Sequence, residues 1–358
     1  MTRHHGIHPE ATATVLTAGQ EAAVRAVDPA RAAPWSWYHD SSGGDSRTHV
    51  EVDDMRAILA SGKGTLWVDI DIRRPDEVAL LGDVFHFHPL AIEDSLNPES
   101  RVKFEEYSTF AILIVRTVAF LEDTEDPYDI ETVNFTCFLG ANFLVTVHGA
   151  HSRPVEATVQ VLEKWPEFAS SGPARLMHAV ADEAVNAYFP ILDQLETFMD
   201  GLEEKVFASF DQTALREIFS VKRLVLSLRR HLGPERDVFS VLTNRPSTLL
   251  SPESQVYYRD IYDHVLRIND SLETYRELLS STLDSYLTQV SNKLGMVTKA
   301  LSVVATISLP FVVVSGMWGM NFDQIPLSHT GHGFWTMVVL QLGLGALLLA
   351  FLRWRKLL

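Results

Sequence analysis

The run from Ala300 to Phe322 carries no charged side chain, and a second uncharged run, Gly333 to Leu352, follows after a short loop. Each is close to the roughly 20 apolar residues that a helix needs to cross a bilayer core. The first run ends not in a basic anchor but in Gly319-Met320-Asn321: a small residue, a flexible residue and a carboxamide. A spanning helix that hands over to such a sequence sets a ring of neutral oxygen ligands at a membrane mouth, provided several copies assemble around an axis. Transport of a hydrated metal ion across a membrane is therefore the first function the sequence suggests.

Composition agrees with a chain that is membrane-bound at one end only. The mean hydropathy of +0.05 is low for a polytopic membrane protein, because nearly all sustained apolar character lies after Lys299. A formal net charge of -16 argues against nucleic acid as a partner, since phosphate binding needs clustered Lys and Arg. An acidic surface suits cations, and it also serves solubility. The single cysteine, Cys137, excludes an intrachain disulfide and a multi-cysteine zinc site. It lies in Thr132–Val147, where Gly140-Ala141-Asn142 separates two strand-like runs, and reads as a small buried hydrophobe in a hairpin. Met1–Ala13 contains no apolar stretch of the secretory type, so the chain before the first span is expected to stay in the cytoplasm.

Four regions follow from patterning. Residues 1–45 read as a flexible leader, rich in Ala and His, with Ser41-Ser42-Gly43-Gly44 near its end; His4, His5 and His8 belong to this tail. Residues 46–172 read as a cytoplasmic α/β domain, with a strand at Thr65–Ile70, a short helix at Pro75–Phe85, a buried strand at Phe110–Val118 and the hairpin at 132–147. Residues 173–293 read as a helical stalk. Apolar residues recur at three- and four-residue spacing in Ala174–Phe207 and in Leu215–Leu232. Gly233-Pro234 is expected to break or bend the second of these, and Asn244-Arg245-Pro246 to form a turn. Ser251-Pro252-Glu253 is a helix start, with a side-chain oxygen ahead of proline at the first helical position. From Glu253 to Leu294 there is neither Gly nor Pro. A helix continuing to Met317 spans roughly 65 residues, or about 100 Å, and needs neighbours to cover its apolar stripe, as an oligomer would supply. Residues 294–358 form the transmembrane region, with spans near 298–320 and 333–353 joined by an outer loop, 321–332. The expected fold class is thus an α+β membrane protein: an N-terminal cytoplasmic α/β domain, a long helical stalk or funnel, and two C-terminal transmembrane helices.

Charge fixes the expected topology. Lys293 and Lys299 precede the first span, Arg353, Arg355 and Lys356 follow the second, and the loop Asp323–His332 has no Lys or Arg. Positive residues flanking both spans on one side put both termini in the cytoplasm, which makes this a multi-pass protein of the cell (inner or plasma) membrane.

Ser291-Asn292-Lys293, Ala305-Thr306, Leu309-Pro310 and Met317-Trp318-Gly319-Met320-Asn321-Phe322 resemble the CorA-type channels for magnesium and cobalt. The likeness extends to His88-Pro89-Leu90, Glu93-Asp94 and Val102-Lys103-Phe104-Glu105, and to Tyr258–His264 and Leu283–Leu287. It covers most of the chain from about residue 50, in the family's order and spacing. The resemblance implies a homopentamer whose first spans line an axial pore and whose second spans form an outer ring.

It also implies roles for individual residues. Asn321 presents amide oxygens at the outer mouth, where neutral dipoles can hold a hydrated magnesium ion without trapping it. Gly319 allows a close turn and Met320 completes the motif. Asp284 supplies a carboxylate ring at the inner end of the pore, Leu301 and Leu309 a hydrophobic gate, and Gly295 and Thr298 further lining. Asp94 and Asp260 match two acids that face each other across neighbouring subunits and bind a regulatory divalent ion, magnesium closing the channel from the cytoplasmic side. Pro310 is an expected kink, and Trp318 and Trp335 suit interfacial belts. His86 and His88 read as structural rather than as metal ligands.

Two departures bear on the metal. Where the family commonly has Met-Pro-Glu-Leu, this chain has Gln324-Ile325-Pro326-Leu327, which leaves Asp323 as the loop's carboxylate beside His329 and His332. Gly295-Met296 also replaces a more polar pair. Imidazole favours softer ions such as cobalt, nickel or zinc, so a zinc-handling transporter of the same superfamily is the alternative. A membrane-anchored metal-dependent enzyme is a second alternative, without a nucleophile–base pair, phosphate loop or metal-hydrolase spacing to support it. A purely structural two-span anchor leaves Asn321 and Asp284 without a purpose.

Overall fold

The computed structural model describes residues 34–41, 44–121, 124, 127–149, 152–208, 212–320, 325–327 and 330–355. These divide into two compact units, which are described separately. The first comprises the described residues of Met1–Gly201 and Glu217–Leu279, the second those of Leu202–Arg216 and Ser280–Leu358.

The first unit is built on a seven-stranded mixed sheet. Its strands are β1 (Trp35–His39), β2 (Ser46–Thr48), β3 (Thr65–Asp71), β4 (Lys103–Glu106), β5 (Phe110–Phe120), β6 (Ile130–Gly140) and β7 (Phe143–His148). They lie in the order β2-β1-β3-β7-β6-β5-β4. Only β3 and β7 are parallel, paired from Leu66↔Phe143 to Asp71↔His148. Every residue of β3 is buried, as expected for a strand covered on both faces. Leu66, Val68 and Ile70 point into an apolar core with Ile112, Ile114, Phe138, Val145 and Val147. Helices α1 (Val52–Ser61), α2 (Pro75–Asp83) and α3 (Pro89–Leu96) close that face through Met55, Ile58, Leu81 and Ala91. The alternate β3 residues Trp67, Asp69 and Asp71 take the opposite face. There α4 (Arg153–Lys164), a 3₁₀ turn (Pro166–Ser171) and α5 (Pro173–Asn186) pack, with α5 against β3, β5, β6 and β7. Asp69 is satisfied on that face by the Thr146 hydroxyl, which donates at 2.6 Å, and lies 3.1 Å from His148 Nε2.

One boundary differs from expectation. The expected leader reaches residue 45, yet β1 starts at Trp35 and pairs with β3 in the register Trp37↔Trp67. The aromatic residues of Trp-Ser-Trp-Tyr-His suit a strand: Trp37 is buried and Trp35 meets Trp67 edge-on at 4.9 Å. Ser41 and Gly44 therefore fall in the β1–β2 connection. His4, His5 and His8 lie outside the described residues.

Four longer helices follow: α6 (Tyr188–Ala208), α7 (Gln212–Asn244), α8 (Pro252–Trp318) and α9 (Gly333–Trp354). α7 runs through Gly233-Pro234, which excludes the break from the expected break or bend. Proline inside a helix costs about 3 kcal/mol, and tertiary contact offsets it here. Leu232, Glu235 and Phe239 are fully buried around the proline. The backbone N–H of Arg116 on β5 donates to the Glu235 carboxylate at 2.8 Å, pinning helix to sheet. α8 begins at Pro252, and Ser251 Oγ accepts from the Ser254 N–H at 3.2 Å. Within the first unit α8 buries Tyr258, Ile261, Val265, Ile268 and Leu272, a three-and-four spacing that keeps one face inward.

Candidate ion pathway and metal site

In the second unit, α8 and α9 contain the two stretches apolar and long enough to cross a membrane. They pack on each other along defined stripes. The less exposed positions of α8 from Leu301 onward are Val303, Ile307, Pro310, Phe311, Val314 and Trp318, and those of α9 are Gly333, Met337, Val338, Gln341, Gly345, Leu348 and Leu352. Gln341 Nε2 donates to Ser315 Oγ at 3.2 Å. A Cβ added at Gly345 would stand 2.7 Å from the Phe311 ring, so the glycine sets how closely the spans approach, as small residues do between membrane helices. Gly345→Leu is expected to cost about 1–3 kcal/mol through overpacking and to lower the thermal midpoint of the purified protein. Gly343→Leu, where nothing lies within 4 Å, is the control, and equal midpoints for the two variants would contradict the packing assigned to Gly345.

The residues assigned to the pore lie on the other side of α8. At about 100° per residue, Asp284, Gly295, Thr298 and Leu309 fall within about 60° of one another, roughly opposite the stripe that meets α9, with Leu301 on the flank; Met320 lies just past the helix end. All six are exposed, and Leu301 and Leu309 are 69% and 64% exposed. No residue of the most apolar window of α8 is buried in the protomer. A stripe shared by so many assigned residues is thus left open by this chain's own folding.

At the end of the span, α8 stops at Trp318. The Gly319 N–H donates to the Ser315 carbonyl at 3.0 Å and the Met320 N–H to the Met317 carbonyl at 3.4 Å. Gly319 does not take the left-handed conformation, and a Cβ there would sit at an ordinary 3.4 Å from the Ser315 oxygen. Nothing among the described residues of the protomer therefore demands glycine at 319. Asn321 lies outside the described residues, as do Asp323, Gln324 and His329.

A second group of candidates lies in the first unit. Asp260 on α8 shares its surroundings with Asp182 on α5 and His264 one turn further along α8, one ligand atom of each lying within 4.8 Å of the others. Asp182 Oδ1 and His264 Nδ1 are buried without a hydrogen-bond partner and stand 3.6 Å apart, too far for a hydrogen bond. Burial and the neighbouring Asp260 charge push the Asp182 carboxyl above its ordinary range. Two carboxylates and an imidazole with orphaned atoms form a donor set that a divalent cation would satisfy. Asp94 is not part of this group. It sits on α3 with its carboxylate 2.6 Å from Lys103 Nζ, which is also 2.9 Å from Glu105. Burial by itself would depress the Lys103 ammonium, but its hydrogen bonds to Asp94 and Glu105 outweigh this and hold it above the usual lysine value.

The sequence singled out Asp260 and Asp94 but not the side chains that surround them here. The Asp260–His264 spacing of one turn on one helix face was a readable signal. Asp182 was not readable, because it arrives from a different helix. Cys137 is fully buried and its thiol is pushed up by burial, which makes it unreactive. His88 Nδ1 accepts from the Leu90 N–H at 3.2 Å and caps α3. His86, at φ 52°, lies with Nδ1 3.0 Å from the Gly82 carbonyl.

The sequence profile of the family described as "CorA-like Mg2+ transporter protein" matches residues 62–355. The chain belongs to the CorA family. Among CorA relatives, "Putative metal ion transporter YfjQ" of Bacillus subtilis is 32% identical over 289 residues, 80% of this chain and 87% of the relative. "Cobalt/magnesium transport protein CorA" of Thermotoga maritima is 30% identical over 73% of this chain and 74% of that protein. The complete CorA magnesium transporter structure from Methanocaldococcus jannaschii superposes with a TM-score of 0.77 at 22% identity, covering 90% of this chain and 98% of the other. That match carries the fold: a soluble α/β domain, a long helix and two C-terminal apolar helices. As a CorA-family divalent cation transporter, the chain is a membrane protein and not an enzyme.

Proposed function

We propose that the chain assembles as a homopentamer in which five copies of α8 enclose an axial pore for divalent cations, magnesium first, with cobalt and nickel also admitted. The observation that carries this reading is the stripe on α8 that is exposed in the protomer and faces away from α9. Asp284 lies on it, before the membrane, where a carboxylate ring would concentrate cations. Gly295 and Thr298 follow, then Leu301 and Leu309 as a constriction that conducts when wetted. The Gly319-Met320-Asn321 motif closes the stripe at the outer mouth, where the Asn321 amide oxygens would meet an ion that keeps most of its water. The basic flanks of both spans support cytoplasmic termini in the cell membrane.

Cytoplasmic magnesium would favour the closed state by binding Asp94 of one copy together with Asp260 of the next, with Asp182 and His264 completing the donor set. The imidazole there, and His332 near the outer mouth, favour softer ions than magnesium. This is what keeps zinc as the second reading.

Uptake of magnesium, cobalt, nickel and zinc into liposomes containing only the full-length protein tests both. Asn321→Ala is expected to reduce magnesium uptake at least about tenfold, since it removes the ligand ring and leaves the rest of the span intact. Undiminished uptake in that variant would remove the Asn ring from the mechanism. Zinc uptake that persists in excess magnesium would favour the zinc reading.

A further inference from the structure

We propose that Lys103 is a built-in competitor for the regulatory ion: its ammonium occupies the Asp94 carboxylate when metal is absent, and an entering ion has to displace it. This rests on Asp94 being a ligand of that ion, as proposed above. Lys103 Nζ stands 2.6 Å from Asp94 Oδ2 and 2.9 Å from Glu105 Oε2. One compact cation therefore bridges two carboxylates, as a divalent ion would. Asp94 comes from α3, whereas Lys103 and Glu105 lie two apart on the edge strand β4 and so project to the same side.

That arrangement gives the ammonium two perches. When metal takes Asp94, Lys103 keeps Glu105 and loses one charge-assisted hydrogen bond rather than all its compensation. Displacement is then possible but not free. The ion concentration that closes the channel is set by the strength of the Lys103–Asp94 pair as well as by the ligands themselves. Glu105 tunes it in the opposite direction by drawing the ammonium away from Asp94. Without Lys103, Asp94 and Glu105 are two unneutralised carboxylates, and the site's affinity for a divalent cation rises.

The test measures protection of the detergent-solubilised full-length protein from limited proteolysis as magnesium is raised. Thermal midpoints without metal are measured in parallel. Lys103→Met is expected to lower the half-protecting magnesium concentration roughly three- to tenfold, the range of a partly exposed ion pair. Lys103→Arg should stay near the unaltered value, and Glu105→Gln should raise it about two- to threefold. Asp94→Asn separates the two levels of the argument. If it moves the response at least about tenfold upward while Lys103→Met leaves the midpoint unchanged, the competitor role is wrong and the Asp94 ligand stands. If Asp94→Asn leaves the response unchanged, both fall. A merely structural ion pair would lower the metal-free thermal midpoint of Lys103→Met without moving the magnesium midpoint. Should Lys103→Met fail to fold, Glu105→Gln decides, and an unchanged or lower midpoint in it overturns the proposal.

Discussion

A protein carrying Asp94→Asn together with Asp260→Asn is expected to keep conducting at cytoplasmic magnesium concentrations that close the unaltered protein. Like charges brought together repel, and a divalent ion between them reverses the sign of that interaction. If each of five sites is about tenfold saturated, each contributes roughly 1.4 kcal/mol to the closed state. Their sum, on the order of 7 kcal/mol, exceeds the roughly 5.5 kcal/mol needed to swing a two-state equilibrium from 99:1 to 1:99. Weak individual sites are therefore enough for a switch, and losing two carboxylates per site is enough to disable it. The cluster of Asp182, Asp260 and His264 explains why both substitutions belong in one chain: with Asp94 alone altered, three donors remain. Flux into liposomes at stepped internal magnesium measures the effect. An inhibition curve in the double variant that overlays the unaltered one would refute regulation through these acids.

Glu235→Gln is expected to make the protein more stable in alkaline solution, by a margin that grows with pH. Glu235 is completely buried, and burial pushes its carboxyl up to about 8, against the opposing effects of the Arg116 N–H and of the Arg116 charge. Its value in an unfolded chain is near 4.5. The stability this group provides is thus fully present below about pH 4.5 and is lost as pH rises through about 8. The slope between is at most about 1.4 kcal/mol per pH unit. Glutamine keeps an oxygen to accept from the Arg116 N–H and cannot ionise. Thermal denaturation at pH 6 and pH 9 checks the sign: the variant's advantage must be larger at pH 9. A constant difference would mean that Glu235 does not change protonation between folded and unfolded chains in that window.

The parts of the fold that could be read from the sequence are those whose signals are local. Two uncharged runs, a proline behind a serine at 251–252 and a long stretch without Gly or Pro marked α8 and α9 closely, because helix starts and membrane spans depend on neighbouring residues. The hairpin around Gly140-Ala141-Asn142 was legible for the same reason. What escaped depends on distant partners. β1 lay hidden just before the Ser41-Ser42-Gly43-Gly44 run because its strand character is realised only against β3. α7 passes Pro234 because a buried carboxylate ties it to β5. Asp182 joins Asp260 and His264 only through helix packing, and Lys103 reaches Asp94 only because β4 passes beside α3. The outer mouth was read from its motif alone, and Asn321 remains the residue on which that reading depends most.

The open stripe on α8 also has a genetic consequence. If the pore is the meeting of five identical faces, one defective copy alters a wall that the other four share. In a cell making equal amounts of intact and Asn321→Ala chains, random assembly leaves about 3% of rings wholly intact. Such an allele would act as a dominant poison in the presence of a good copy. An allele that blocks insertion of the chain would be recessive. The contrast between those two inheritance patterns reports on shared walls without any structure of the assembly.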